Sequence, residues 1–263
     1  MPKKITSITL QKKAGRFNIF LDGEYAFPVS EDILIKYRLA KGQELDEALI
    51  AQLKQDDIVS KAYNKALDYL SYQLRSIKEM KTYLAKLEVT PEASEQVIKK
   101  LCDLNLLNDL NYAQSYVKTA MNTTDKGPYV ITQKLKQKGI KDEFIASALE
   151  LYTFDRLVST ALKIADKFIA KETKLSFQAK KNKLYQRLLT KGFSSDVIEA
   201  VFEEVELKPN EEQEQQALAR QAEKLLYRYR NLDKRERNFK LKQALYRKGF
   251  SLNEIDIYLQ ELD

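Results

Sequence analysis

The sequence predicts a mainly α-helical fold in which tandem three-helix repeats form an elongated curved rod, preceded by a small N-terminal antiparallel β-hairpin or meander module. Three observations predict this fold. The chain has only 7 Gly in 263 residues, too few for the turns of a large sheet. A Lys-Gly-apolar motif recurs at Gly139, Gly192 and Gly249, at intervals of 53 and 57 residues. Alternation of apolar side chains with a period of two is found in the first thirty residues.

The N-terminal module is predicted from that alternation. Apolar residues alternate partially over residues 5–10 and 17–21. Asp22-Gly23 then favours a tight hairpin turn, and Pro28 in the third run favours an edge strand. Ser30 is the expected N-cap of a helix that ends near Gly42. Residues 1–56 are therefore predicted to form a three-stranded meander with one helix.

The rest of the sequence predicts four repeats of a long helix followed by two short ones. In the first copy, Glu88 stands where the three later copies have Gly. Such units cannot bury their apolar faces alone, so they are expected to stack. The four long helices are expected at Ile58–Arg75, Leu110–Asn122, Phe154–Glu172 and Glu212–Asn231. The repeats themselves are expected at residues 57–108, 109–153, 154–208 and 209–263.

The composition argues against catalysis. The chain has no His, and Cys102 is its single cysteine, which excludes His-dependent nucleophilic relays and the common zinc sites. It has no Gly-rich phosphate loop. Adjacent carboxylates such as Asp56-Asp57 point in different directions on a helix, and those near a helix N-terminus are explained by the helix dipole. We therefore expect no enzyme activity, no catalytic residue, no cofactor and no metal.

Location follows from the same reasoning. No apolar run is long enough to span a membrane, and the basic N-terminus is not followed by the apolar segment of a signal peptide. We therefore expect a cytoplasmic protein without membrane contact. Cys102 lies in an apolar helical pattern and is expected to pack inertly.

The net charge of +7 is unevenly distributed. Residues 171–191 carry a net +6 and residues 220–248 a net +8, whereas residues 196–214 carry −7. In a stack of repeats the two basic segments could form a strip that binds an anionic partner. Tyr227, Tyr229 and Tyr246 interleave with these bases and would suit stacking. The alternative is an ordinary solvated helix surface with the tyrosines half-buried between repeats.

Two segments resemble the signature of the RecX family. The first is Ala66-Leu-Asp-Tyr-Leu-Ser-Tyr-Gln-Leu-Arg-Ser-x-x-Glu79. The second begins Leu107-Asn-Asp-x-x-Tyr-Ala-x-x-Tyr-Val117 and continues with Lys126-Gly-Pro-x-x-Ile-x-x-x-Leu-x-x-Lys-Gly-Ile140. Gln73-Leu74 departs from the basic residue, often with Pro, that is expected before Arg75. The residues that carry the resemblance are Arg75, Ser76, Glu79, Asp109, Tyr112, Ala113, Gly127, Pro128, Lys138 and Gly139.

The resemblance implies a non-catalytic, monomeric regulator of the RecA recombinase that acts in DNA repair, recombination and the SOS response. Such a protein would lie along the RecA–DNA filament and inhibit its ATPase, strand-exchange and co-protease activities. A contact with single- or double-stranded DNA is also compatible with it. The residues we expect to bind the filament are Lys180, Lys181, Lys183, Arg187, Arg228, Arg230, Arg235 and Arg237. A sequence-independent nucleic-acid-binding protein and a helical scaffold for another partner are the alternatives.

Overall fold

The structure is a computed structural model that describes residues 2–12, 14–205 and 211–262. It is mainly helical with a small N-terminal antiparallel sheet, as predicted. The chain divides into two compact units. One comprises Met1–Ala113 with Lys136–Phe144, and the other comprises Gln114–Leu135 with Ile145–Asp263.

The sheet belongs to the first unit. Its strands are β1 (Lys3–Leu10), β2 (Arg16–Leu21), β3 (Glu24–Ser30) and β4 (Glu44–Leu45), in the order β3-β2-β1-β4. The predicted meander is confirmed, and Pro28 lies on the edge strand β3, opposite Asn18. The fourth strand was not predicted, because two residues are too short to display an alternating pattern.

The first helix, α1 (Glu31–Lys36), is shorter than predicted. It ends at Lys36 with Tyr37 as its C-cap residue, and Arg38 then takes a left-handed conformation. Gly42 is therefore not its cap; the Gly42 N–H donates to the Ile5 carbonyl oxygen at 2.8 Å instead. Ser30 is the N-cap residue, but its side chain meets Ser60 Oγ at 2.9 Å and makes no capping bond.

The long helix α2 (Glu47–Tyr72) runs without a break through the predicted boundary at residues 56 and 57. The predicted start at Ile58 was therefore wrong. Asp46 caps the helix by accepting from the Leu49 N–H at 2.7 Å, and no Gly or Pro interrupts the 26 residues that follow. Asp56 and Asp57 consequently lie in mid-helix, and the helix dipole does not explain them.

Each set of three helices begins with its longest member, which confirms the predicted long-short-short order among the described residues. The first set is α2, α3 (Ile77–Lys86) and α4 (Pro91–Asp103). The others are α5 (Asp109–Thr123), α6 (Pro128–Gln137), α7 (Asp142–Leu149), α8 (Phe154–Lys171), α9 (Phe177–Lys191), α10 (Ser195–Glu204), α11 (Glu211–Arg228), α12 (Lys234–Arg247) and α13 (Leu252–Glu261).

Apolar clusters hold the helices of a set together. Met80 and Leu101 are fully buried where α2, α3 and α4 meet, and Leu241 and Leu245 are fully buried where α11, α12 and α13 meet. Cys102 is half-buried against the first of these clusters, and burial raises the pKa of its thiol.

Local sequence signals place most helix ends. The capping box of Ser76 and Glu79 is present. Gly139, Gly192 and Gly249 all have φ between 80° and 91°, the left-handed conformation expected after a helix. Glu88, which replaces Gly in the first copy, adopts φ 57°. The predicted boundary at residues 208 and 209 lies outside the described residues, and the domain boundaries stay predictions.

None of the helices described is long and apolar enough to cross a membrane.

Candidate functional site

Several of the motif residues meet at one place, which we call the first joint. It brings the start of α3 beside the end of α6 and the start of α5. Ser76 Oγ donates to the Lys138 carbonyl oxygen at 2.7 Å and accepts from the Glu79 N–H at 3.2 Å. Asp109 Oδ1 accepts from the Ile77 N–H at 2.9 Å. These bonds satisfy N–H groups that a helix start leaves without partners.

The charged groups of the first joint have shifted pKa values. Burial raises the pKa of the Asp109 carboxyl above its ordinary value, against the hydrogen bond from Ile77. Burial acts in the same direction on Glu79, but the hydrogen bond from Lys138 Nζ, at 2.6 Å, contributes to a net lowering of its pKa. The Glu79 carboxylate is thus stabilised by an ion pair with Lys138, whereas the Asp109 carboxylate accepts from a backbone N–H in a less polar position.

The same arrangement recurs at the start of α9, and we call it the third joint. Ser176 Oγ donates to the Lys248 carbonyl oxygen at 2.6 Å and accepts from the Ala179 N–H at 3.2 Å. Glu214 accepts from the Phe177 N–H at 2.8 Å. Burial raises the pKa of the Glu214 carboxyl, as it does for Asp109.

The start of α6 uses different chemistry, and we call it the second joint. Gly127 donates its backbone N–H to the Lys191 carbonyl oxygen at 2.8 Å. Pro128 occupies the position of Ile77 and Phe177 and has no N–H to satisfy. Lys191 Nζ lies 2.7 Å from Asp125 in an ion pair. A Cβ at Gly127 would collide with the Gly192 carbonyl oxygen.

The remaining motif residues flank the first joint in the sequence: Arg75 precedes Ser76, and Tyr112 and Ala113 follow Asp109 on α5. The Arg75 guanidinium lies 4.0 Å from the centre of the Tyr69 ring. Tyr69 stacks on Tyr83 with ring centres 4.0 Å apart. Ala113 is fully buried on α5, and Tyr112 on the same helix is half-buried. In this structure the motif residues therefore form hydrogen bonds between helix ends and side-chain packing contacts.

The four predicted bases of α9 do not form one row. Lys183 Nζ and the Arg187 guanidinium both lie about 6 Å from the Phe168 ring on α8. Lys181 Nζ lies 5.5 Å from the Phe202 ring on α10, at the opposite flank of α9. Lys183 also pairs with Glu172 at 2.7 Å, and Lys180 is half-buried.

The other four predicted bases surround the turn between α11 and α12. Arg228 and Arg230 are exposed, and the Arg230 guanidinium lies 4.3 Å from the centre of the Tyr227 ring. Tyr227 is itself 72% exposed. Arg235 is exposed in the first turn of α12, whereas Arg237 is half-buried. Of the other two tyrosines, Tyr246 is exposed and Tyr229 packs against the core.

A second basic surface was not predicted. A cleft in the second unit is lined by the end of α5, the linker to α6, one face of α8 and one residue of α9. We call it the basic cleft, and its cationic residues are Lys126, Arg156, Lys163, Lys167 and Arg187. Only the last of these was among the predicted binding residues. Among the described residues no cluster of ligating side chains could hold a metal ion.

Comparison with known proteins identifies relatives over nearly the whole chain. Family models match residues 3–46, described as the RecX N-terminal domain, and residues 62–101 and 108–149, described as the first and second three-helix domains of RecX. The model of the third three-helix domain matches twice, at residues 155–202 and 211–259.

Curated relatives and solved structures agree with those matches. The regulatory protein RecX of Levilactobacillus brevis is 47% identical over 98% of this chain and 97% of its own length. The regulatory protein RecX of Bacillus subtilis is 43% identical, with 98% of each chain covered. A crystal structure of regulatory protein RecX superposes with a TM-score of 0.71 at 43% identity, over 76% of this chain and 99% of that one.

Proposed function

Because the chain belongs to the RecX family of regulatory proteins, we propose that it is a non-catalytic regulator of the RecA recombinase. It binds the RecA–DNA filament and inhibits the filament's ATPase, strand-exchange and co-protease activities. Its place of action is the cytoplasm, in DNA repair, recombination and the SOS response. The single observation that carries the proposal is the match to RecX domains along nearly the full chain.

The chemistry of the described surface supports binding more than catalysis. The buried carboxylates Asp57, Asp109 and Glu214 all accept hydrogen bonds from backbone N–H groups, so each has a structural role. The exposed candidates are cations. A RecA–DNA filament carries DNA phosphates and is an anionic partner that such cations would recognise.

The bases at the start of α12 point to an intermolecular role. Cations in the first turn of a helix oppose its dipole and weaken the helix. Arg235 and Arg237 nevertheless both lie in the first turn of α12, which Asp233 caps. Helix stability does not explain their presence, which supports a role in binding an anionic partner.

A RecA ATPase assay tests the proposal. RecA is activated by single-stranded DNA, and hydrolysis is measured with and without this chain. The proposal requires that hydrolysis fall as the chain is added and that RecA and the chain sediment together. An unchanged rate of ATP hydrolysis, with no co-sedimentation, would show that RecA is not a partner of this chain.

A charge-reversal variant locates the interface. Four exposed candidates, Lys181, Arg228, Arg230 and Arg235, are changed together to Glu. The inhibitory potency should fall about 10-fold or more, because each reversal converts attraction into repulsion.

The matched control for this variant changes four exposed bases that lie outside the predicted set, namely Lys81, Lys99, Arg220 and Lys224. Both variants change the net charge equally. Equal potency of the two folded variants would contradict the assignment of the interface to the predicted bases.

A sequence-independent nucleic-acid-binding protein is the second candidate function, and the basic cleft is the observation that favours it. Such a protein would bind DNA tightly without RecA and would inhibit the ATPase only by competing for DNA. Raising the concentration of single-stranded DNA would then abolish inhibition. A direct effect on the RecA filament would survive excess DNA.

A further inference from the structure

The first joint places the end of one helix against two defined positions of another. These positions are the second and sixth residues after the N-cap residue of the receiving helix. On α3 they are Lys78 and Thr82, which line a cleft together with Gln137 and Lys138 at the end of α6. Lys78 Nζ donates to the Gln137 carbonyl oxygen at 3.1 Å. A cation thus binds a carbonyl group at the C-terminal end of the docked helix, where the helix dipole favours positive charge.

The third joint uses the same two positions on α9. The second and sixth residues after Ser176 are Gln178 and Asn182, and both line a cleft with Lys248 and Gly249 at the end of α12. A Cβ at Gly249 would lie 2.8 Å from Ser176 Oγ, so the docked helix end approaches the receiving helix closely. The N-cap residue Ser176 is only 1% exposed. In both joints this part of the receiving helix therefore contacts a helix end.

On α12 the corresponding positions are open to solvent. The N-cap residue is Asp233, and the second and sixth residues after it are Arg235 and Phe239. All three residues are exposed, and Phe239 is 63% exposed. Within the part of the chain that the structure describes, no helix end covers them. The position that receives a helix end in the first and third joints is therefore available on α12.

Tyr246 extends this surface along α12. It follows Phe239 by seven residues, so with about 3.6 residues per turn the two residues lie within about 20° of each other around the helix axis. Tyr246 is 59% exposed. We call Arg235, Phe239 and Tyr246 the open face of α12. Protein interfaces are enriched in aromatic anchors and in Arg, and burial of the two exposed rings against a partner would be favourable.

The charge around the open face indicates an acidic partner. Three exposed bases on this face or in the turn before it form no ion pair within the described residues, namely Arg228, Arg230 and Arg235. The acids beside them are already engaged. Asp233 accepts from the Glu236 N–H at 2.9 Å, and the Glu236 carboxylate pairs with Lys240 at 2.7 Å. A negatively charged surface would complement the three bases.

We propose that the open face of α12 docks the C-terminal end of a helix on an acidic partner protein. Phe239 and Tyr246 are the apolar anchors, and Arg235 donates to the last carbonyl groups of that helix, as Lys78 does in the first joint. A second copy of this chain fits less well, because its net charge is +7. The inference deepens the proposed function and rests on it, since the acidic protein is then the recombinase and the contact is with protein, not with DNA.

The test compares inhibition of the DNA-dependent RecA ATPase by the full wild-type chain and by Phe239→Ala. This substitution removes an anchor and keeps the net charge, so the inhibitory potency should fall about 10-fold. Phe239→Leu keeps part of the apolar area and should lose less. The affinity of Phe239→Ala for naked DNA, measured without RecA, should equal that of the wild type.

Phe154→Ala on α8 is the matched control. Phe154 is 47% exposed and lies outside the open face, so this variant should keep the wild-type potency. Wild-type potency of Phe239→Ala would overturn the inference and leave the proposed function intact. An equal loss of DNA affinity and of potency in Phe239→Ala would overturn it by assigning the open face to DNA. A wild-type chain that does not inhibit RecA would overturn the proposed function and this inference with it.

A photo-cross-linking experiment identifies what the open face contacts. Phe239 is replaced by p-benzoylphenylalanine in the full chain, and its complex with the RecA–DNA filament is irradiated. The expected adduct joins the chain to RecA at the C-terminal end of a helix that lies beside acidic residues. The same replacement of Phe154 should give no such adduct. An adduct with DNA, an adduct with a second copy of this chain, or no adduct while the filament is inhibited would each overturn the proposal.

Discussion

The carboxylate of Asp109 accepts a 2.9 Å hydrogen bond from the backbone N–H of Ile77, the first N–H of α3. That group has no partner within its own helix, and a residue 32 positions later in the chain supplies one. Glu214 serves Phe177 in the same way. The second joint needs no such acid, because Pro128 has no N–H. An acidic acceptor is therefore found at the first and third joints, where the first residue of the helix has an N–H group that needs a partner.

Removing the Asp109 carboxylate should show how much its hydrogen bond from the Ile77 N–H contributes to stability. Asp109→Ala leaves the partly buried Ile77 N–H without an acceptor, and the free energy of unfolding should fall by about 1–3 kcal/mol. Asp109→Asn keeps an oxygen acceptor and removes only the charge, so its loss should be less than about 1 kcal/mol. Urea unfolding at neutral pH measures both, and equal losses would show that the charge itself matters.

Glu79 and Asp109 should give opposite dependences of stability on pH. The pKa of Glu79 is lowered on folding, so its contribution is present above its ordinary pKa of 4.5 and is lost as the pH falls through the lowered value. The pKa of Asp109 is raised, so the folded state gains stability as the pH falls from that raised value towards 3.8.

The variants Glu79→Gln and Asp109→Asn separate these two effects in urea unfolding at a series of pH values. The stability advantage of the wild type over Glu79→Gln should shrink below pH 4.5. The stability of the wild type relative to Asp109→Asn should instead increase as the pH falls towards 3.8. Parallel pH profiles for the wild type and both variants would contradict the assigned shifts.

Gly127→Ala tests the close backbone approach in the second joint. The added Cβ would meet the Gly192 carbonyl oxygen and lie 2.7 Å from the Phe193 backbone nitrogen. Neither group can rotate away as a flexible side chain could, so the free energy of unfolding should fall by about 1–3 kcal/mol. The exposed Asn122 on α5 provides a control, since Asn122→Ala should change stability by less than about 0.5 kcal/mol. Wild-type stability of Gly127→Ala would mean that the two backbones can separate without cost.

Helix ends were predictable where their cause is local. Ser76 and Glu79 are three residues apart, and a capping box needs nothing from elsewhere in the chain. The start of α2 also has a local cause, because Asp46 accepts from the Leu49 N–H, but the pair Asp56-Asp57 led the prediction to a start that is too late. Asp56 and Asp57 look like residues near a helix end, but Asp57 lies in mid-helix, where it accepts hydrogen bonds from Arg16 and from the Ser30 N–H. Those contacts span 41 and 27 residues of sequence.

The candidate binding surfaces were likewise predictable only where the signal is local in the sequence. Arg228 and Arg230 were identified because bases are dense in that part of the sequence. Lys163 and Lys167 share α8 with Asp155 and Asp166, so the segment does not look strongly basic. The helical spacing of α8 was available as a signal. The contribution of Lys126 and Arg187 appears only when the fold places them beside that helix.

The contact between Arg16 and Asp57 should anchor the N-terminal module to α2. Two hydrogen bonds of 3.0 Å join the guanidinium to the carboxylate, and Asp57 also accepts from the Ser30 N–H at 2.8 Å. The side chains are only 12% and 5% exposed. Asp57→Ala would leave a buried cation and a buried N–H unpaired, so the free energy of unfolding should fall by about 3–5 kcal/mol.

A double-mutant cycle separates this ion pair from the general effect of truncation. Once Asp57 is removed, Arg16→Ala should cost little or even restore stability, because it deletes the unpaired cation. The loss in the double variant should therefore be clearly smaller than the sum of the two single losses, by about 1–3 kcal/mol. As a matched pair, Lys36 and Asp56 join α1 to α2 through a lysine that is 60% exposed, so their coupling should be below about 1 kcal/mol. Additive losses for Arg16 and Asp57 would show that the ion pair itself does not help to hold the module to α2.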